Sequence, residues 1–352
     1  MLRTRWFLLA AGLALLLCLT AWQTAAQTDE RLIDAQFEVL DGPVLARGEP
    51  GAWDSGFVIP GEVIYADGRF HMFYTGGTSY TNEPWAIGYA SSEDGIHWVR
   101  YIGNPIIERC RSPFDCGLSL GAVLREEEQW VAYLNPHRRA GILPGRQVLR
   151  ATASAPTGPW IVDRTPVLEG ARGSWDHYLI ADDVIRTADG YRLYFTGWDR
   201  YLHPAVGLAT SEDGITFTKY RDPDAVTFAR CTPILETTGE TSPWDAGGVQ
   251  TVSVWHTEDR WDLFYYGTPN GDPASTLHAG IGYAFSTDGI HWNRYCENPV
   301  VTLEGEQAPW RPVALAVDDT MYLYYAIRPD DSMTFEVGLA VGQIELMAEQ
   351  TE

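Results

Sequence analysis

The segment Ile87-Gly-Tyr-Ala-Ser-Ser-Glu-Asp-Gly-Ile-His-Trp98 recurs as Val206-Gly-Leu-Ala-Thr-Ser-Glu-Asp-Gly-Ile-Thr-Phe217 and as Ile281-Gly-Tyr-Ala-Phe-Ser-Thr-Asp-Gly-Ile-His-Trp292. Leu149-Arg-Ala-Thr-Ala-Ser-Ala-Pro-Thr-Gly-Pro-Trp160 is a weaker copy, and Val337-Gly-Leu-Ala340 a truncated one. An aromatic segment precedes each copy: Phe70-His-Met-Phe-Tyr-Thr-Gly76, Gln129-Trp-Val-Ala-Tyr133, Tyr191-Arg-Leu-Tyr-Phe-Thr-Gly197, Trp261-Asp-Leu-Phe-Tyr-Tyr-Gly267 and Met321-Tyr-Leu-Tyr-Tyr325. A third element opens each unit: Trp53-Asp54, Phe114-Asp115, Trp175-Asp176, Trp244-Asp245 and Trp310-Arg311. Repeats at such a period mark an architecture built of stacked units, here five of them.

Each unit reads as four strands. In the first, Glu62 to Ala66 and Arg69 to Thr75 flank Asp67-Gly68. Asp-Gly tolerates the positive φ of a tight hairpin turn, so it joins two strands. Ala86 to Ser91 and Ile96 to Tyr101 follow, around Asp94-Gly95, with Asp213-Gly214 and Asp288-Gly289 at the same place in later units. Helical periodicity is nearly absent. Four antiparallel strands repeated around an axis make a propeller blade. The expected fold is therefore all-β, a five-bladed β-propeller with blades near 44–107, 108–168, 169–235, 236–303 and 304–347. No Pro/Ser-rich linker separates the units, so residues 27–352 form one domain. The blade aromatics are expected to be core.

The formal net charge of −22 repels phosphate backbones and anionic lipid, which excludes nucleic acid and membrane surfaces as partners and leaves neutral sugars open. Residues 1–26 read as an export signal: Arg3 and Arg5, then the apolar run Trp6–Leu19, then small residues at Thr24-Ala25-Ala26. That run is short for a membrane span. Secretion places Cys110, Cys116, Cys231 and Cys296 in an oxidising compartment, with Cys110–Cys116 and Cys231–Cys296 the favoured pairs of three possible pairings.

The element Ala-x-Ser-x-Asp-Gly-x-x-Trp, with its Thr157-Gly158-Pro159-Trp160 variant, resembles that of the five-bladed glycoside hydrolases of families 43, 32, 68 and 130, the arabinanase, invertase and mannoside-phosphorylase relatives. The resemblance covers nearly all of residues 40–345. It implies a glycosidase acting at the channel mouth with carboxylates on the innermost strands. Invertase-like relatives carry Asn-Asp-Pro-Asn-Gly in the first blade, and family 43 an Asp-Pro pair, where this chain reads Val58-Ile59-Pro60-Gly61-Glu62. Either Asp54 or Glu62 takes the role of base or nucleophile, or catalysis of that type is missing.

Glycoside hydrolysis needs one carboxyl to protonate the leaving oxygen and a second to attack or activate water. Aligning the blades on their second strand puts Glu62 and Asp183 at one position, with Gly121, Ser253 and Val313 in the other blades. Asp182 falls beside Gly61 and, by strand alternation, is expected on the face opposite to Asp183. The catalytic candidates are Asp54, Glu62, Asp183, Asp176 and Asp245. The substrate-binding candidates are Asp182, His177, Gln250, Arg311 and Trp198, with Arg311 expected to pair with one of the acids. The Trp-Asp pair recurs in most blades, which also suits a structural role. The acid count leaves room for a calcium ion in the channel; no other cofactor is expected. The expected protein is a secreted, monomeric glycosidase binding carbohydrate; the alternative is a non-catalytic sugar-binding or scaffold propeller.

Overall fold

A computed structural model describes residues 31–81, 85–108, 117–137, 145–225, 231–237, 244–257, 260–269, 278–305, 307–327 and 333–346. Strand β1 (Arg31–Val39) starts the described chain. Four sheets then follow in chain order, each strand pairing with the next. The first holds β2 (Phe57–Ala66), β3 (Arg69–Gly77), β4 (Ala86–Ser92) and β5 (Val99–Arg100). The second holds β6 (Gly117–Arg125), β7 (Trp130–His137) and β8 (Gln147–Ala153), with β9 (Ile161–Val162) and β10 (Leu168–Glu169) both on β8. The third holds β11 (Tyr178–Thr187), β12 (Gly190–Trp198), β13 (Pro204–Ser211) and β14 (Thr218–Lys219). The fourth holds β15 (Gly248–His256), β16 (Trp261–Thr268), β17 (Gly280–Ser286) and β18 (Asn293–Arg294). The fifth runs β1-β21-β20-β19, from β19 (Pro309–Val317), β20 (Thr320–Ile327) and β21 (Glu336–Leu346). These are the five blades of a β-propeller. The compact unit spans Ile33–Gln343.

The fifth repeat stops at its third strand, which would leave β21 with an unpaired edge. β1 covers that edge, so the beginning of the chain completes the last blade. Leu40 N and Val44 N extend the seam by donating to Leu339 O and Val337 O.

Between blades the sheets bury aromatic and aliphatic side chains. Phe73, Leu120 and Trp130 pack in one such layer, and Tyr133, Leu179 and Phe195 in another. Asp67-Gly68 forms its turn with φ of 52° and 72°, the left-handed region that a type I′ hairpin needs. The Ser-x-Asp-Gly turns are tied internally. Asp94 Oδ1 accepts from Ile96 N and His97 N, and Ser92 Oγ accepts from Gly95 N. Asp213 and Asp288 repeat the pattern. Each of these turns also clasps the preceding blade. The Tyr324, Tyr133 and Tyr194 hydroxyls donate to Gly95 O, Gly214 O and Gly289 O at 2.8, 2.8 and 3.1 Å. Phe73 and Phe264 precede the two blades without that turn, and they need no hydroxyl. Tyr194→Phe should therefore cost about 1 kcal/mol in urea unfolding, the effect of one buried carbonyl left unpaired.

The expected Cys231–Cys296 bridge is not formed. Cys231 is buried beside Asp176 and Cys296 is exposed, and both thiols are free. Burial pushes the Cys231 thiol up to about 12, which makes it inert. Cys110, Cys116 and the export segment 1–26 lie outside the described residues.

Candidate functional site

All five inner strands carry a β-bulge at nearly one level. The pairing slips between Pro60 and Glu62, Leu120 and Ala122, Ala181 and Asp183, Gln250 and Val252, and Trp310 and Val313. A bulge inserts a residue, leaves it unpaired and re-aims its side chain. The inserted residues are Gly61, Gly121, Asp182, Thr251 and Arg311 with Pro312. This corrects two expectations. Asp182 and Asp183 do not divide between opposite faces, because the bulge breaks the alternation and both line one crevice. In the second blade Ala122, not Gly121, holds the Glu62 position, since Ala122 pairs with Tyr133 as Glu62 pairs with Phe73.

The crevice gathers Glu62, Asp182, Asp183, Thr251, Ser253 and Arg311 from blades one, three, four and five. Its walls leave no room for the centre of a water molecule. Asp183 Oδ2 accepts from Val254 N of the next blade at 2.7 Å and from Ser253 Oγ at 3.3 Å. Ser253 Oγ in turn accepts from Ala314 N at 2.9 Å. Glu62 Oε1 accepts from Val63 N of its own strand at 3.1 Å. Equal register thus gives equal work: the Asp183 and Ser253 side chains each receive an amide across a blade boundary. Asp182 Oδ2 accepts from Thr196 Oγ1 at 2.5 Å, and Thr196 Oγ1 accepts from Thr251 N at 2.8 Å. Asp182 Oδ1 and Thr251 Oγ1 are buried without a hydrogen-bond partner.

Burial dominates the electrostatics, because a desolvated carboxylate favours its neutral form. It raises Asp182 to about 7 against the pull of Arg311 and Thr196. It also raises Asp183 and Glu62, and for Glu62 the charge of Asp183 adds to burial. Arg311 does not pair directly with an acid as expected. Its Nε donates to Pro60 O at 3.0 Å, and an Nη donates to Leu120 O. The acids act on it through space.

The sign of the pH effect follows. The folded Asp182 carboxyl holds its proton up to about pH 7, while the unfolded one releases it near 3.8. Stability is therefore lost as pH rises between those values and is level above. Asp182→Asn removes the loss, so its stability relative to wild type should grow steadily from pH 4 to pH 7. Urea midpoints across that range check this; a difference that is flat with pH would contradict it.

The blade-opening acids stand elsewhere. Asp54 accepts from the Tyr74 hydroxyl at 3.0 Å and pairs with Arg100 at 3.0 Å. Asp245 accepts from the Tyr265 hydroxyl and pairs with Arg294, both at 3.2 Å. Asp176 pairs with Lys219. All three carboxylates are buried and tie the start of their blade to its outermost strand. None lines the crevice. His177 and Trp198 lie half-buried at the entry of β11 and the end of β12, with the His177 ring 4.6 Å from Tyr178. Gln250 sits at the bulge of β15 without lining the crevice. Among the described residues, no group of three or more His, Cys, Asp or Glu is arranged to hold a metal ion.

Thr251, Thr196 and the struts to Arg100, Lys219 and Arg294 escaped the sequence reading. The struts had a signal. A basic residue stands two places after the aromatic of the turn, in Trp98-Val-Arg100, Phe217-Thr-Lys219 and Trp292-Asn-Arg294. These are the three blades that open on Trp-Asp.

No family model matches the chain. Uncharacterized proteins Rv1502 and MT1551 of two Mycobacterium tuberculosis strains are each 26% identical over 136 residues, covering 37% of this chain and 41% of theirs. The match thus spans well under two thirds of those relatives. Among solved structures, a complex of BT0996 with RGII superposes with a TM-score of 0.66 at 14% identity, over 90% of this protein and 94% of that one. A family 117 glycoside hydrolase, Zg3597, produced by Zobellia galactanivorans, gives 0.63 at 16%, over 89% and 92%. A structure from the family 130 mannoside phosphorylases, which contain hydrolases targeting β-1,2 mannosidic linkages in Candida mannan, gives 0.63 at 18%, over 92% and 99%. The fold is that of the five-bladed propeller glycoside hydrolases.

Proposed function

We propose that this propeller is an exported glycosidase that uses the axial cluster of Glu62, Asp182 and Asp183. One observation carries the reading: three carboxyls from two blades meet in one crevice, and one of them holds its proton up to about pH 7. A carboxylic acid protonated near neutrality is what leaving-group protonation requires, and a neighbouring carboxylate can serve as base or nucleophile. Asp182 is the proposed acid and Asp183 the proposed base or nucleophile, with Glu62 beside them pushed toward its neutral form by burial and by the Asp183 charge. His177 and Trp198 at the end of the third blade are the proposed sugar contacts. The shared fold with carbohydrate-cleaving propellers supports a saccharide substrate, and the acidic surface suits a neutral one. Residues 1–26 support export.

A second reading is a scaffold or sugar-binding propeller. It is favoured by the closed crevice and by the amide bonds that Glu62 and Asp183 already make. Assay of the purified protein on aryl glycosides and oligosaccharides separates the two. Hydrolysis is expected. Binding on a glycan array without hydrolysis of any ligand would replace the first reading with the second.

A further inference from the structure

We infer that Arg311 is a positioning residue: from the fifth blade it pins the bulges of blades one and two, and it is the buried counter-charge of Glu62, Asp182 and Asp183. The role in positioning rests on the reading of that cluster as the working site. The geometry stands by itself.

Arg311 is 6% exposed and has a φ of 55°, a left-handed backbone that a long cationic residue adopts only when its surroundings impose it. Its planar fork faces three carbonyls, Pro60 O, Leu120 O and Gly121 O, on two other blades. Those blades carry glycine as the inserted residue. A Cβ at Gly61 would lie 2.5 Å from the Leu120 side chain, and one at Gly121 2.8 Å from the Ala181 Cβ. Glycine therefore lets these bulges close up at the axis, where their carbonyls meet the guanidinium. No other basic residue lines the crevice among the described residues.

The titratable groups acting on the guanidinium are Asp182 and Asp183 of β11, Glu62 of β2 and Tyr80 in the connection after β3. The three acids lie on different strands from Arg311, and none is in its hydrogen-bonding fork. A buried cation that bonds only carbonyls holds the acids' geometry through the backbone while easing their ionisation through space.

Arg311→Met tests both parts by thermal unfolding at pH 5 and pH 8 and by carbon NMR titration of the side-chain carboxyls. With the acids protonated, only the pins are lost; with the acids ionised, the counter-charge is lost too. The expected Tm loss is larger at pH 8, and the Asp182 midpoint rises by about one pH unit or more. A loss equal at both pH values with an unmoved midpoint would make Arg311 merely structural and overturn the inference. Arg311→Lys keeps the charge but not the fork, and guards against a Met variant that does not fold. It should lower Tm equally at both pH values and leave the midpoint near wild type; a raised midpoint would overturn the counter-charge role. Neither reading uses turnover, so the fate of the glycosidase assignment does not decide them.

Discussion

Glu62→Gln and Asp183→Asn are each expected to abolish glycosidase turnover, by on the order of 10²- to 10⁴-fold, the usual worth of a positioned acid or base. Both replacements keep a side-chain oxygen where the carboxylate now accepts an amide. The carboxamide oxygen of Glu62→Gln can still receive Val63 N, and that of Asp183→Asn can still receive Val254 N. The fold should therefore survive. It should even gain at pH 8, because each variant removes a carboxylate, half-buried at Glu62 and buried at Asp183, whose ionised form is disfavoured by its surroundings. Activity assays paired with melting curves at pH 8 check this. Full turnover in both variants would show that the chemistry lies elsewhere, and lost turnover with collapsed stability would show the two carboxyls to be structural.

Asp176→Ala is expected to have the opposite profile. Its carboxylate is fully buried and pairs with Lys219, whose side chain is 14% exposed. Removing the acid strands a mostly buried ammonium, and breaking such a pair costs about 3–5 kcal/mol. Part of that loss should return in Asp176→Ala/Lys219→Met, where no charge is left to strand. Urea unfolding of the single and double variants measures the difference. A fully stable Asp176→Ala protein without turnover would move the catalytic role to the blade-opening acids. The same logic covers Asp54 with Arg100 and Asp245 with Arg294.

The number of blades and the location of the turns could be read from the sequence because their chemistry is local. Asp67-Gly68 needs positive φ, and Asp94, Asp213 and Asp288 each bind amides two and three residues on. The inward acids Glu62 and Asp183 were visible because charges interrupt apolar strands. The bulge was not visible. Inserting Asp182 or Thr251 changes no composition, and its effect is to overturn the simple alternation that would send Asp182 to the other face. The closing role of β1 was hidden for a different reason: it depends on which edge the truncated fifth repeat leaves open. Cysteine spacing carried no information on the depth at which Cys231 sits. The partners of Asp54, Asp176 and Asp245 were legible in principle, since Arg100, Lys219 and Arg294 recur at one offset from the turn aromatics.

The central claim is that the channel axis keeps a carboxyl protonated near neutral pH. Carbon NMR titration of the Asp and Glu side chains tests it most directly, with Asp182→Asn to assign the signal. The expected result is that a carboxyl titrating near 7 disappears in the variant, with Glu62 and Asp183 also above the ordinary range. If every Asp and Glu carboxyl titrates in the ordinary range, about 3.5 to 4.5, the crevice holds no proton at neutrality and the claim is contradicted.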